Sequence, residues 1–169
     1  MEPAHILNLQ VNAAKCTACK ACELSCSFNK EGAFSPHLSR IRVVQLHEQG
    51  MNVPIVCVNC ADAPCIPACP TGAVFRDASV PVVRIRAEDC IGCGECVKAC
   101  PFGAVDMNEE KGVAIMCDLC DGSPVCVRHC MYGALSFEQP MNMSGAEVKR
   151  LARAHVIASQ SEASRGVKR

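Results

Sequence analysis

The chain has 169 residues, of which 16 are cysteine, six are Phe or Tyr, and none is Trp. Its 17 basic and 17 acidic residues cancel, which excludes the strongly basic balance of a nucleic-acid-binding protein. So few aromatic side chains predict a thin apolar core, and the fold must depend on what the cysteines form: disulfides, zinc sites or iron–sulfur clusters.

The amino-terminal residues MEPAHILNLQ contain no basic stretch followed by an apolar run and a cleavage site, and no paired arginines. No apolar stretch approaches the ~20 residues that span a bilayer. We therefore expect a cytoplasmic protein without a membrane span. Because that compartment is reducing, it disfavours a disulfide scaffold.

Hydrophobic alternation predicts short strands around the cysteines. A strand is expected over residues 6–11, and an edge strand with Pro81 over residues 80–86. Residues 41–46 and 51–58 predict a hairpin that turns near Gly50, and residues 105–115 predict a second hairpin. With a single helical turn after the third cysteine of each run described below, this pattern indicates a loop-rich α+β fold.

The cysteines form four runs of four, with none left over. The runs are Cys16, Cys19, Cys22 and Cys26; Cys57, Cys60, Cys65 and Cys69; Cys90, Cys93, Cys96 and Cys100; and Cys117, Cys120, Cys126 and Cys130. The first and third runs have the spacing C-x2-C-x2-C-x3-C, and Pro101 completes the bacterial ferredoxin pattern in the third. Four-cysteine zinc sites usually separate two C-x2-C knuckles by ~15–20 residues, so the crowded runs favour iron–sulfur clusters over zinc.

The ferredoxin spacing also predicts an exchange of ligands between runs. Three cysteines hold one 4Fe-4S cluster, whereas the fourth ligates the other cluster of a two-cluster protein. Two runs must therefore exchange their last cysteines, and four runs predict four 4Fe-4S clusters.

A second repeat follows the last cysteine of three runs. It reads Cys-Pro-Thr-Gly-Ala-Val from Cys69, Cys-Pro-Phe-Gly-Ala-Val from Cys100 and Cys-Met-Tyr-Gly-Ala-Leu from Cys130. The prolines end a short helix, and Gly72, Gly103 and Gly133 provide a turn that leads into a strand.

The carboxyl-terminal part differs in character from Ser144 onward. Ser144 and Glu147 form a plausible capping box, which precedes an apolar stripe of Val148, Leu151, Ala152, His155 and Val156. Residues 143–169 are therefore expected to form a basic helix and tail. It is either a solvated surface helix or a segment that docks on an acidic partner or on another copy of the chain.

Four polar residues lie close to the cysteine runs and could bind iron or influence a cluster. With sixteen thiols for four clusters, no iron needs His129 as a ligand. Lys15 and Lys20 flank the first run and Arg128 the fourth, where positive charge would favour a reduced cluster; such side chains are more often simply solvated.

Three segments, residues 16–44, 60–74 and 117–135, resemble the small iron–sulfur subunit of multisubunit tungsten aldehyde oxidoreductases. The subunit of the tungsten benzoyl-coenzyme A reductase complex is similar, and both resemble the polyferredoxin subunits of molybdenum and tungsten oxidoreductases. The resemblance covers residues 5–140. Ser27 and Met131 depart from the ferredoxin pattern, in which proline is usual, so only helix termination is in doubt there.

The resemblance implies that the first run pairs with the fourth and the second with the third. The implied ligand sets are Cys16, Cys19, Cys22 and Cys130; Cys117, Cys120, Cys126 and Cys26; Cys57, Cys60, Cys65 and Cys100; and Cys90, Cys93, Cys96 and Cys69. It further implies two bacterial-ferredoxin-like two-cluster modules, an outer one (1–50 and 112–142) and an inner one nested within it (51–111).

No catalytic motif stands beside the cysteines: there is no nucleophile–base arrangement and no phosphate or dinucleotide fingerprint. We therefore expect an electron-transfer subunit that is not an enzyme by itself. The resemblance implies a large tungsten-pterin catalytic subunit as one partner and an FAD/NAD-binding subunit or ferredoxin as the other. The alternatives are the equivalent subunit of a molybdenum reductase, formate dehydrogenase or hydrogenase, a free-standing ferredoxin, and a zinc-stapled scaffold.

Overall fold

In the computed structural model, which describes residues 9–137, eight short strands pair two by two and do not join into one sheet. The strands are β1 (Leu9–Val11), β2 (Ile41–Leu46), β3 (Met51–Val56), β4 (Val74–Arg76), β5 (Val83–Ile85), β6 (Val105–Asn108), β7 (Val113–Met116) and β8 (Leu135–Phe137). The helices are α1 (Ala21–Glu31), α2 (Glu95–Ala99) and α3 (Val125–Arg128). The described residues thus form the expected α+β, loop-rich fold.

Both predicted hairpins are confirmed. Strand β2 pairs with β3 in antiparallel register from Ile41 opposite Val56 to Leu46 opposite Met51, and Gly50 adopts a positive φ of 60° in the turn. Strand β6 pairs with β7 from Val105 opposite Met116. A third hairpin, which the sequence did not predict, joins β4 to β5. Strand β5 lies within the edge strand predicted over residues 80–86. Each hairpin leads into or out of a cysteine run.

The repeat after the last cysteines folds as predicted. Gly72, Gly103 and Gly133 have φ angles of 69°, 59° and 61°, which disfavour any residue with a Cβ atom. The residues after these turns begin β4, β6 and β8. The local sequence therefore fixes the direction in which the chain leaves each of these three runs.

Strands β1 and β8 bring the two ends of the described chain together, with Leu9 opposite Phe137 and Val11 opposite Leu135. The module boundaries predicted from the sequence, at residues 50/51 and 111/112, fall in the turns of the β2–β3 and β6–β7 hairpins. The two modules would therefore be joined by hydrogen-bonded hairpins and not by free linkers.

The helices correct one prediction. All three helices begin one residue before the third cysteine of their run; α2 and α3 are short, as expected, but α1 extends over 11 residues. Cys26 is followed by Ser27, whereas the corresponding cysteines of the second and third runs are followed by Pro70 and Pro101. Because no proline interrupts α1 here, the helix continues to Glu31 and ends at Gly32, which adopts a φ of 71°. The expected helical turn of the second run is also wrong, because residues 61–72 form only turns in a segment interrupted by Pro64 and Pro67.

The predicted carboxyl-terminal helix of residues 143–169 lies outside the described residues, as does the first part of the strand predicted over residues 6–11. Within residues 9–137, no helix combines the length and apolar character needed to cross a bilayer.

The cysteines themselves form much of the core. In the first core cluster, five of the twelve buried side chains are cysteines, packed beside residues such as Ile41, Val56 and Leu119. A second cluster surrounds Cys65 and Cys96 with small and branched apolar side chains. Apolar packing and the thiols therefore share the same interior.

Two glycines of the third run offer a matched test of this backbone. Gly92 and Gly94 have φ angles of 71° and 72°, but only at Gly92 would an added Cβ collide with a backbone oxygen, that of Gly112. We expect Gly94→Ala to cost about 1 kcal/mol from the left-handed conformation alone. Gly92→Ala should cost distinctly more, because the turn between β6 and β7 must move.

Thermal unfolding of both variants, prepared under the same anaerobic conditions, measures the difference. Equal losses of stability in the two variants would contradict the close approach of the Gly92 and Gly112 backbones.

Candidate iron–sulfur centres

The first candidate centre combines cysteines from the two ends of the described chain. Cys16, Cys19, Cys22 and Cys130 line one cavity; they are called the Cys130 group below. Burial raises the pKa of the Cys22 thiol to about 12. Burial also raises the pKa of Cys16, and negative charge at Cys19 and Cys130 raises it further. The β1–β8 pairing and the packing of α1 on α3 bring the fourth run to the first.

The second centre combines the second run with the end of the third. Cys57, Cys60, Cys65 and Cys100, the Cys100 group, line another cavity. Burial raises the thiol pKa to about 12 at Cys57 and to about 11 at Cys65, and negative charge at Cys100 contributes to both shifts. Four thiols therefore face one another here, although they come from two separate runs.

The remaining thiols divide in the same way. Burial raises the pKa of Cys126 to about 12, and charge at Cys26 and Cys120 adds to the shift. Burial raises the pKa of Cys96, and charge at Cys90 and Cys69 adds to it. Cys26 thus lies with Cys117, Cys120 and Cys126 (the Cys26 group). Cys69 lies with Cys90 and Cys96 of the third run. These three and Cys93, the remaining cysteine of that run, are called the Cys69 group.

Each exchanged cysteine receives backbone hydrogen bonds. Ala134 N donates to Cys130 Sγ at 3.2 Å, Ala104 N to Cys100 Sγ at 3.4 Å, and Arg40 N to Cys26 Sγ at 3.3 Å. At Cys69, burial would raise the thiol pKa, but hydrogen bonds from the following turn lower it to about 7. Because such donors stabilise a thiolate, the turns after Cys69, Cys100 and Cys130 make these thiols suitable as ligands, whereas at Cys26 the donor comes from Arg40, 14 residues further along the chain.

The donor chemistry of the groups fits clusters held by thiolates. Each of the two cavities is lined by four cysteines and contains no His, Asp or Glu in its lining. The other lining residues are apolar at the Cys100 group, whereas the cavity of the Cys130 group also contains Lys15, Thr17, Lys20 and Tyr132. Iron–sulfur clusters are bound by four thiolates and are tuned by hydrogen bonds to sulfur, and both features are present here. Within residues 9–137, no three or more Cys, His, Asp or Glu side chains converge closely enough to hold a single metal ion.

The four groups lie in series. Besides burial, charge at Cys22 of the Cys130 group raises the pKa of Cys126, and charge at Cys57 of the Cys100 group raises that of Cys117. Charge at Cys96 similarly contributes to the raised pKa of Cys65, for which burial is the larger cause. The order is therefore the Cys130, Cys26, Cys100 and Cys69 groups.

The two ends of the series are more open than its middle. Cys19 and Cys93 are the exposed cysteines, and each belongs to a terminal group. In the Cys26 group, by contrast, three of the four cysteines are buried. The arrangement gives two accessible ends and a protected interior.

The flanking residues behave mainly as expected. Lys15 and Lys20 line the cavity of the Cys130 group, and Arg128 is exposed. His129 Nδ1 lies 2.9 Å from Val125 O on its own helix, so this contact engages one ring nitrogen with the backbone.

Sequence reasoning missed the polar side chains that α1 brings to the fourth run. Asn29 Nδ2 donates to Cys120 Sγ at 3.8 Å, and Lys30 Nζ lies 2.6 Å from Asp118 Oδ2. Asn29 and Lys30 follow Cys26 by three and four residues, so on a continuous helix they lie on the same face as Cys26. This spacing could have predicted that they lie near the Cys26 group.

Comparison with known proteins gives two family matches. A 4Fe-4S dicluster domain model matches residues 49–140, and a 4Fe-4S binding domain model matches residues 13–29. The chain is 47% identical over 105 residues to the polyferredoxin-like subunit of an aliphatic sulfonate oxidoreductase from Pyrococcus furiosus, which covers 62% of this chain and 60% of that protein. It is 34% identical over 125 residues to the thiosulfate reductase electron transfer subunit PhsB of Salmonella typhi, which covers 68% of this chain and 64% of PhsB.

A solved structure is also similar: the active-site complex BamBC of benzoyl coenzyme A reductase, with a TM-score of 0.45 and 25% identity over 93% of this chain and 97% of that one. The chain spans 60% and 64% of the length of the two relatives named above. The name of PhsB, an electron transfer subunit, agrees with the expectation that this chain is not an enzyme by itself. With more than half of its length matched by the dicluster model, the chain belongs to the 4Fe-4S dicluster family of iron–sulfur electron-transfer proteins.

Proposed function

We propose that this chain is an electron-transfer subunit that holds four 4Fe-4S clusters in series. The observation that supports the proposal is that fifteen of the sixteen thiols lie in four groups, each of which includes the last cysteine of another run. Each cluster, when bound, accepts and releases one electron at a time. The residues of the chain fix the spacing of the groups, bury the middle ones and leave Cys19 and Cys93 accessible to partners.

The same grouping supports two nested modules. The Cys130 and Cys26 groups would form the outer module of residues 1–50 and 112–142, closed by the β1–β8 pair. The Cys100 and Cys69 groups would form the inner module of residues 51–111. The modules would then adjoin where Cys57 lies close enough to Cys117 to influence its pKa, at the ends of β3 and β7.

For the partners, we propose a tungsten-pterin aldehyde oxidoreductase subunit at one end and a flavoprotein that uses NAD, or a ferredoxin, at the other. The three segments that resemble the tungsten aldehyde oxidoreductase subunit support this assignment, as does the identity with a polyferredoxin-like subunit of another oxidoreductase. We also propose that residues 143–169 mediate self-association. The second candidate is a subunit of a molybdenum reductase complex, which the similarity to a thiosulfate reductase subunit favours.

Anaerobic affinity purification of the tagged chain from its host tests the partner assignment. We expect about 16 irons and as many acid-labile sulfides per chain, because four clusters of four irons are held by sixteen thiolates. The captured large subunit should contain tungsten. Molybdenum in its place would support the second candidate, whereas zinc without labile sulfide would refute the electron-transfer proposal.

Serine substitutions test the exchange of ligands. Cys130→Ser and Cys19→Ser should perturb the same cluster and each leave about 12 irons where the parent chain holds about 16, and the double variant should lose no more than either single one. Cys126→Ser is the control, because Cys126 lies close to Cys130 in sequence but in another group. The measurements are iron content and electron paramagnetic resonance of the reduced proteins.

If Cys130→Ser and Cys126→Ser instead affect one and the same cluster, each run binds its own cluster and the exchanged arrangement is wrong.

A further inference from the structure

We propose that helix α1 sets a difference in reduction potential between two neighbouring clusters. Lys30 raises the potential of the cluster in the Cys26 group, and Glu23 lowers that of the cluster in the Cys130 group. This inference rests on the proposed function. Neither side chain is a ligand; each acts on its cluster through its charge.

Helix α1 is suited to this role because it serves both groups. Cys22 belongs to the Cys130 group and Cys26, one turn later, to the Cys26 group. The helix then continues for five residues beyond Cys26, whereas α2 and α3 end before the last cysteine of their runs. This extension carries Asn29 and Lys30 to the fourth run.

Lys30 places a positive charge beside the Cys26 group. Its Nζ atom lies 2.6 Å from Asp118 Oδ2, and Asp118 Oδ1 accepts a hydrogen bond of 3.0 Å from Cys120 N. The Lys30 side chain is only 18% exposed, so solvent screens its charge weakly. Asn29 adds a side-chain donor to Cys120 Sγ.

Lys30 also compensates the negative charge of Asp118, which stands next to Cys117. A cluster becomes more negative on reduction, so positive charge and hydrogen-bond donors near its sulfurs favour the reduced form. Without Lys30, the negative charge of Asp118 would be uncompensated and would lower the reduction potential of the cluster. Because Lys30 offsets Asp118 and Asn29 adds a donor to Cys120 Sγ, these side chains leave no net negative charge beside the Cys26 group, which therefore has the higher potential.

Glu23 has the opposite effect on the Cys130 group. Its side chain is 4% exposed, it follows Cys22 directly, and its Oε1 atom accepts a hydrogen bond of 2.6 Å from Val43 N. Lys15 and Lys20 also line this cavity. Lys20 Nζ lies 3.7 Å from Glu23 Oε2 but its side chain is 47% exposed, and Lys15 is exposed as well, so the two lysines offset the buried charge only in part. A buried carboxylate beside a ligand disfavours the added negative charge of reduction.

The two charges therefore draw an electron from the Cys130 group toward the Cys26 group. The groups are neighbours, since Cys22 lies close enough to influence Cys126. The helix fixes both charges relative to both groups, because Glu23 and Lys30 are seven residues apart and lie on one side of it.

The test is an anaerobic redox titration of the cluster-loaded chain, followed by electron paramagnetic resonance. Lys30→Gln should lower one of the four midpoint potentials by about 59 mV or more, equal to a tenfold change in its reduced-to-oxidised ratio. Glu23→Gln, which keeps an acceptor for Val43 N, should raise a different one. The control is Lys111→Gln, which removes an equal charge from a side chain that is 62% exposed and pairs with Glu31; it should leave all four unchanged.

Asp118→Asn provides a second variant at the same place, since asparagine still accepts the bond from Cys120 N. It should raise the potential that Lys30→Gln lowers. If Lys30→Gln does not retain its iron, the midpoint potentials of Asp118→Asn test the inference in its place. Unchanged potentials in iron-replete Lys30→Gln and Asp118→Asn would overturn the inference. So would a shift of one and the same potential by Lys30→Gln and Glu23→Gln, or a shift in Lys111→Gln as large as in Lys30→Gln. Absence of iron and sulfide from the parent chain would instead refute the proposed function.

Discussion

The last cysteine of each run lies with a different run, and this exchange organises the rest of the molecule. Cys130 can reach Cys16 only if the two ends of the described chain meet, which they do in the β1–β8 pair. Cys100 can reach Cys57 only if the third run folds back on the second. Bringing distant segments of a chain together costs conformational entropy. Here the four thiol groups determine which distant segments meet.

The exchange also explains why so small an aromatic content is sufficient. Seven of the sixteen thiols are buried, most of them among Val, Ile and Leu side chains, and this burial raises the pKa of several of them far above that of a free thiol. Without bound metal the thiols with a raised pKa are neutral and pack as small apolar residues. Ligation requires the thiolate, so cluster binding releases protons, and the free energy of binding becomes part of the free energy of folding.

Features set by neighbours in sequence could be predicted, and features set by distant segments could not. The hairpins and the turns at Gly72, Gly103 and Gly133 follow from local alternation and backbone preference. The length of α1 was within reach, because Ser27 stands where a proline would have ended it. The contact of Asn29 with Cys120 spans 91 residues and depends on the packing of α1 against α3, which no local pattern encodes. The pairing of runs came from family resemblance, since spacing alone predicts only that an exchange occurs.

Regular structure stands at two of the three junctions between groups, and this has a consequence for electron transfer. Cys22 and Cys26 are one turn apart on α1, a rise of about 6 Å that the helix holds constant. Cys57 and Cys117 directly follow β3 and β7, so strands position the approach of the Cys100 group to the Cys26 group. The rate of electron transfer depends on the separation of the centres. Helices and strands therefore fix this separation at two of the three junctions, whereas at the third, between the Cys100 and Cys69 groups, Cys65 lies in the turn-rich segment of residues 61–72.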